Sequence, residues 1–178
     1  MIRRIAFACA AVIAVAGLTL GAVGEVTHVS AGLAPEQEVP AVSSPAGGQF
    51  FATINDDLQE VEYSLTFSGL QAAVTQAHIH LAQPNVNGGI MVWLCGTLTN
   101  PGPAGTQQCP QAGTITGIIR PSNVLQTGNP PGSQGIAAGE FDEFVAAVRN
   151  GLAYANVHTA QSPGGEIRGQ IQPGGGHR

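Results

Sequence analysis

Three histidines in two short segments are the residues of this chain best suited to metal chemistry. His78 and His80 lie in the segment Ala-His-Ile-His, and His158 lies in the segment Asn-Val-His-Thr. Both segments alternate as a β-strand does, and residues i and i+2 of a strand project from one face about 7 Å apart. We therefore expect His78 and His80 to lie side by side, with His158 as a third imidazole donor. Three nitrogen donors suit copper or zinc.

The same alternation predicts which face of each strand the histidines occupy. In 77–81 and 153–158 the odd-numbered positions hold alanine or aliphatic residues, whereas the histidines take even-numbered positions. This pattern puts all three histidines on the polar face of their strands, away from the core. Two interpretations follow: a solvated sheet face on which histidine has no special role, or one metal-binding cluster on adjacent strands.

The elements that must position these residues are short strands separated by Gly- and Pro-rich turns. One helix is predicted near 140–150, because Phe141, Phe144, Val145 and Val148 form a single apolar stripe. The pattern is typical of an all-β fold, an antiparallel β-sandwich. The predicted strands are 50–54, 61–67, 74–81, 90–94, 114–119, 152–158 and 166–171.

Two further residues are candidates for a role beside the histidines. Arg168 shares a strand face with Glu166 and Gln170, and the favoured interpretation is an exposed strand with a weak ion pair. The alternative places Arg168 near the histidines, where its charge steers an anion or donates a hydrogen bond. Trp93 lies in an apolar run and is interpreted as a core residue rather than a binding platform.

Cys95 and Cys109 are the cysteines that remain after an apolar N-terminal segment is set aside. We expect them to form a disulfide that closes a loop rich in Gly and Pro. The alternative is that the two thiols bind a metal, although they do not have the Cys-x-x-Cys spacing.

The chain begins with Arg3 and Arg4, an apolar run and small residues, which predicts a signal peptide over residues 1–24. The run is also long enough for a membrane helix, but no second span follows. We expect one domain over 25–172, a disordered tail over 173–178 and a secreted, periplasmic or cell-envelope location. Residues 25–178 carry four arginines, no lysine and eleven acidic residues, a net charge of −7, which argues against nucleic-acid binding.

Several motifs together resemble the CHRD domain, the module named after chordin and also found alone in exported bacterial proteins. The resemblance spans roughly residues 28–172 and implies an extracellular β-sandwich with no settled biochemical activity. The segments that carry it begin at Gln37, Ser68, Ala77, Asn87, Tyr154 and Gly165, and the last two are the most specific: Tyr-Ala-Asn-Val-His-Thr and Gly-Glu-Ile-Arg-Gly-Gln-Ile.

A looser resemblance concerns the histidines alone. A His-x-His strand, an Asn-Gly turn, a late third His and a later Arg are similar to the copper site of copper/zinc superoxide dismutases. This resemblance implies copper ligation by His78, His80 and His158, with Arg168 where an arginine guides superoxide. The sequence departs from that pattern because no bridging histidine and no His-rich zinc loop occur between positions 81 and 157.

The predicted function is an exported, non-catalytic binding module that holds copper on the three histidines and engages an extracellular or cell-envelope partner. The alternative is a zinc-free, copper-dependent redox enzyme that acts on superoxide. Neither a nucleophile nor an acid–base pair stands out, so a hydrolase is the least favoured class.

Overall fold

The computed structural model describes residues 26–174. The predicted signal peptide and residues 175–178 of the predicted tail lie outside these residues. Among the residues described, no helix is long and apolar enough to span a membrane.

Within residues 26–174, nine strands form two antiparallel sheets. The strands of the first sheet, in spatial order, are β6 (Gly113–Ile119), β3 (Glu60–Ser68), β2 (Gly47–Asn55), β1 (Val26–Leu33) and β9 (Gln172–Pro173). Those of the second sheet are β5 (Gly89–Cys95), β4 (Val74–Leu81), β7 (Ala153–Thr159) and β8 (Ile167–Gln170). The predicted all-β sandwich is therefore confirmed.

One hydrophobic core fills the space between the two sheets. Leu65 of β3 and Ile79 of β4 are among its fully covered residues. The predicted helix is α1 (Phe141–Arg149), and its apolar stripe packs into the same core. Acidic residues occupy the first turn of α1 and Arg149 its last turn, as the helix dipole favours.

The structure has a strand before the first predicted one, which begins at residue 50. This strand, β1, contains His28 and pairs with β2 along its whole length. Pro173 was assigned to the disordered tail, yet it pairs with Val29 in β9. Pairing with β2 orders β1, which includes the weak strand formers Ala31 and Gly32, and pairing with β1 in turn orders β9.

Cys95 and Cys109 form a disulfide, as predicted. Because both sulfur atoms are in this bond, the alternative in which the two thiols bind a metal is wrong. Cys95 ends strand β5 and is fully buried, so the bond anchors the loop of residues 96–108 to the edge of the histidine-bearing sheet.

Candidate metal centre

Strand register brings the candidate residues into one row on the sheet face turned away from the core. His78 of β4 pairs with Trp93 of β5 on one side and with Asn156 of β7 on the other, and Asn156 pairs with Arg168 of β8. His158 lies diagonally opposite His78, since its direct partner is Gln76. The expectation that the strands at 77–81 and 153–158 are neighbours is confirmed.

The three histidines form a compact cluster. One ring nitrogen from each lies within 4.8 Å of those from the other two. His78 Nδ1 is 3.2 Å from His158 Nε2, and the ring centroids of His78 and His80 are 5.3 Å apart.

The cluster is buried, so of the two interpretations the solvated sheet face is wrong. His78, His80 and His158 are 0%, 7% and 5% exposed. Alternation correctly separated the core face from the opposite face, but a layer of loops covers that opposite face. These loops are the segment after β1 (34–42), the loop between β4 and β5 (82–88) and the turn after β7 (160–166).

Backbone carbonyls fix the orientation of two of the rings. His80 Nδ1 lies 2.9 Å from the carbonyl oxygen of Gly88, and His158 Nδ1 lies 2.9 Å from that of Pro163. A carbonyl can only accept, so each Nδ1 carries the hydrogen, and each neutral ring presents an unprotonated Nε2 to the centre. Metal-binding histidines are held in this way by their outer nitrogen.

His78 completes the set with an unpartnered nitrogen. Its Nδ1–H donates to the bare Nε2 of His158 in the neutral cluster, which leaves His78 Nε2 without a hydrogen. That atom is buried and has no hydrogen-bond partner. A buried polar atom without a partner is costly and requires an explanation, which a bound ion provides.

Asn156 lies between the rings, and sequence reasoning did not select it. Its Oδ1 is 3.1 Å from His80 Nε2 and 3.0 Å from His158 Nε2. All three atoms are acceptors in the neutral state, so they require a hydrogen-bond donor or a cation among them. Either the amide turns so that its NH₂ group faces the rings, or a cation occupies the space.

Arg168 is buried beside the cluster, so its predicted place on an exposed strand is wrong. Its side chain is fully covered, and its guanidinium lies 3.4 Å from the centre of the Tyr154 ring. Tyr154 in turn stacks on His80 at 4.7 Å. The guanidinium donates to Val86 O at 2.7 Å and Asn87 Oδ1 at 3.1 Å, so Arg168 holds the 82–88 loop over the histidines.

Trp93 is also placed differently from its prediction. It is half-buried, and its ring meets the His78 ring edge-on at 4.3 Å. Trp93 therefore packs on the outer face of the sheet, as one side of the histidine cluster, rather than in the core.

Glu38 is a second residue that sequence reasoning missed. It is 5% exposed, although it lies in a loop, and its Oε1 has no hydrogen-bond partner. Burial raises the pKa of Glu38 to about 7, against the opposing effects of Arg168, the Val39 amide and the Asn156 side chain. The sequence offered one signal for Glu38, its place in the CHRD-like segment that begins at Gln37. That segment does not indicate what the carboxyl contacts.

Burial also sets the protonation of the histidines. It lowers the pKa of His78 to about 2, where the neighbouring His158 and His80 add to the effect, and the pKa of His80 to about 4. Burial lowers the pKa of His158 as well. All three rings are therefore neutral at pH 7, which is the form that binds metal ions.

The cluster fits a metal ion with nitrogen ligands. Nitrogens bound to one ion at about 2.0–2.1 Å are about 3.4 Å apart in a tetrahedral site. The ring nitrogens lie within 4.8 Å, so movements on the order of 1 Å close the set. Imidazole donors suit copper and zinc, and the chain adds no thiolate here because its two structural cysteines are bonded to each other.

The sequence profile of the CHRD domain matches residues 29–171. No curated protein and no solved structure matches the chain significantly.

Proposed function

The chain belongs to the CHRD domain family, and we propose that it is an exported binding module that holds one copper ion on His78, His80 and His158. The observation that carries the proposal is the convergence of three buried histidines, each with a ring nitrogen within 4.8 Å of those of the other two. Membership of the family and a disulfide both fit a protein of the cell exterior.

Residues around the three histidines orient the rings and cover the site. The carbonyls of Gly88 and Pro163 keep the outer nitrogens protonated, so the inner nitrogens are free to bind. Arg168 and Tyr154 hold the His80 ring by stacking, and the covering loops exclude water. Copper would supply a Lewis acid and, if it can cycle, a one-electron centre.

The experiment is metal analysis of the full-length protein isolated from its native compartment, followed by dialysis against copper or zinc. We expect one copper per chain and a preference for copper over zinc, in keeping with the Irving–Williams order. Protein that retains no metal above the level of a variant lacking all three histidines would contradict the proposal.

A superoxide dismutase-like redox enzyme is the second candidate. The positive charge of Arg168 acts on His80, so an anion near the metal would meet a favourable potential. The module is better supported, because the rings are almost fully covered and the Arg168 guanidinium is engaged by Val86 and Asn87. Copper-dependent superoxide loss that disappears with His80→Ala would favour the enzyme, whereas bound copper without such loss would favour the module.

A further inference from the structure

Glu38 shares an unusual property with the histidine cluster. Among the buried side-chain atoms of residues 26–174, two have no hydrogen-bond partner, Glu38 Oε1 and His78 Nε2. Both border the same group of residues, because the Asn156 side chain interacts with Glu38 on one side and lies against the rings of His80 and His158 on the other.

Glu166 is a second buried glutamate in the same region, and its hydrogen bonds are those expected of a structural residue. Glu166 accepts hydrogen bonds from Ser44 Oγ at 2.6 Å, the Gln71 amide at 2.9 Å and Thr159 Oγ1 at 2.7 Å. Burial acts to raise the pKa of Glu166, but these bonds outweigh it and hold the pKa below its usual value. Glu38 has fewer donors, the Val39 amide and the Asn156 side chain, and its buried Oε1 has none.

The charges around the cluster supply an explanation. Three neutral imidazoles bring no negative charge to a metal ion, and the buried Arg168 adds a positive one. The ion pairs found in the described residues, Arg120–Glu60 and Arg149–Asp56, do not include Glu38. Arg168 nevertheless attracts the Glu38 carboxylate from nearby. A cation held by the rings would add to this attraction and favour the ionised form of Glu38, whose negative charge then offsets that of the cation.

We infer that Glu38 is the internal counter-charge of the histidine centre and makes it favour divalent over monovalent ions, hence copper(II) over copper(I). This inference rests on the proposed function. A fixed negative charge stabilises a doubly charged ion about twice as much as a singly charged one at the same distance. Glu38 acts through charge and position and does not itself bind the metal.

Asn156 connects the carboxylate to the centre. An ionised Glu38 accepts a hydrogen bond from the Asn156 NH₂ group, which turns Asn156 Oδ1 toward the ring nitrogens. This is the amide orientation that suits a cation, whereas the opposite orientation suits an empty cluster of neutral rings. Glu38 thus adds both its charge and the oriented amide dipole.

The reduction potential of the bound copper tests the inference directly. Glu38→Gln removes the charge and keeps the shape of the side chain. We expect copper(II) to lose about 10- to 100-fold in affinity relative to copper(I), which raises the potential by roughly 60–120 mV. Zinc affinity should fall by a larger factor, about 100- to 10,000-fold, because zinc feels the loss of the charge in full rather than as a difference between two oxidation states.

The controls separate charge from packing. Glu38→Asp keeps the charge and should leave the potential close to that of the parent, while Glu166→Gln changes a buried glutamate that does not face the rings and should leave it unchanged. Gly165→Ala provides a second route, because a Cβ at this position would occupy the space of the Glu38 carboxyl, and the φ of +128° at Gly165 adds backbone strain to that displacement. Displacing that carboxyl should raise the potential even if Glu38→Gln fails to fold.

Failure of the copper site and failure of the Glu38 counter-charge give different results. If the parent protein takes up no copper, the proposed function fails first, and the inference fails with it. If copper binds and Glu38→Gln, like Gly165→Ala, leaves both the potential and the zinc affinity unchanged, the counter-charge is wrong while the copper site stands.

Discussion

The ring of His80 is held on both its edge and its face. Its Nδ1 donates to Gly88 O, and its face stacks on Tyr154 with an angle of 1° between the planes. This arrangement fixes the direction of Nε2 before any metal arrives, which lowers the entropic cost of binding.

Replacing His80 with Ala should therefore weaken copper binding by about 100-fold or more, since even an outer contact of a metal ligand contributes 10- to 100-fold. Calorimetric titration with Cu(II) measures the effect. His28→Ala is the matched control, because His28 is exposed in β1 and bonds to Thr53. Equal affinity of the His80 variant and the parent would contradict the assignment of this ligand.

Arg168 should matter for stability, because it joins three segments at the covered face. Arg168→Met would remove the donor to Val86 O and Asn87 Oδ1 and the contact of the buried guanidinium with Tyr154, at a cost of about 1–3 kcal/mol in the free energy of unfolding. Chemical denaturation of the metal-free protein measures this cost.

Arg120→Met is the control for Arg168, since the Arg120–Glu60 pair is exposed on its arginine side and contributes at most about 1 kcal/mol. If the free energy of unfolding falls by the same amount of about 1 kcal/mol or less in both variants, Arg168 does not hold the 82–88 loop in the way described.

At the level of the elements, the disulfide ties β5 to a loop that packs against Trp93. Gly102 of that loop lies so close to the indole that a Cβ would collide with it. The bond between Cys95 and Cys109 closes a loop with a sequence separation of 14 residues.

Replacing both cysteines with Ser should lower the free energy of unfolding by about 3 kcal/mol through loop entropy, and more if the buried Cys95 position tolerates Ser poorly. Thermal unfolding of the parent and the variant measures the loss. Thiol counting on the denatured, unreduced parent should find neither cysteine free, and two free thiols would show that the bond does not form.

Period-two alternation was enough to predict most of the strands, the core face of β4 and β7, and the side-by-side placement of His78 and His80. It could not find β1, where Ala31 and Gly32 interrupt the pattern and pairing with β2 supplies the order. It also could not show that the histidine face is covered, because loops at 34–42 and 82–88 reach that face only in the folded chain. Glu38 and Asn156 were missed for the same reason.

For the whole molecule, the buried titratable groups set the dependence of stability on pH. The folded-state pKa values of the three histidines lie below the unfolded value of 6.5, so the unfolded chain binds more protons as pH falls below 6.5. Glu38 acts in the opposite direction between its unfolded value of 4.5 and about 7. The effect of the three histidines exceeds that of Glu38. The metal-free protein should therefore lose stability as pH falls from about 6.5 toward 4.

The expected slope is on the order of 1.4 kcal/mol per pH unit for each net proton taken up on unfolding. Urea unfolding at a series of pH values measures it. The slope should become shallower in a variant with His80 replaced by Gln and should be unchanged in His28→Ala. Stability that rises on acidification between pH 6.5 and 5 would contradict the assignment of neutral, buried histidines.

The central claim is that His78, His80 and His158 form one metal centre. Its most direct test is a crystal structure of the copper-loaded protein with data collected at the copper absorption edge. We expect a single strong anomalous peak among the three rings, about 2.0–2.1 Å from one nitrogen of each. A peak elsewhere on the molecule, or none in crystals grown from protein with bound copper, would contradict the account.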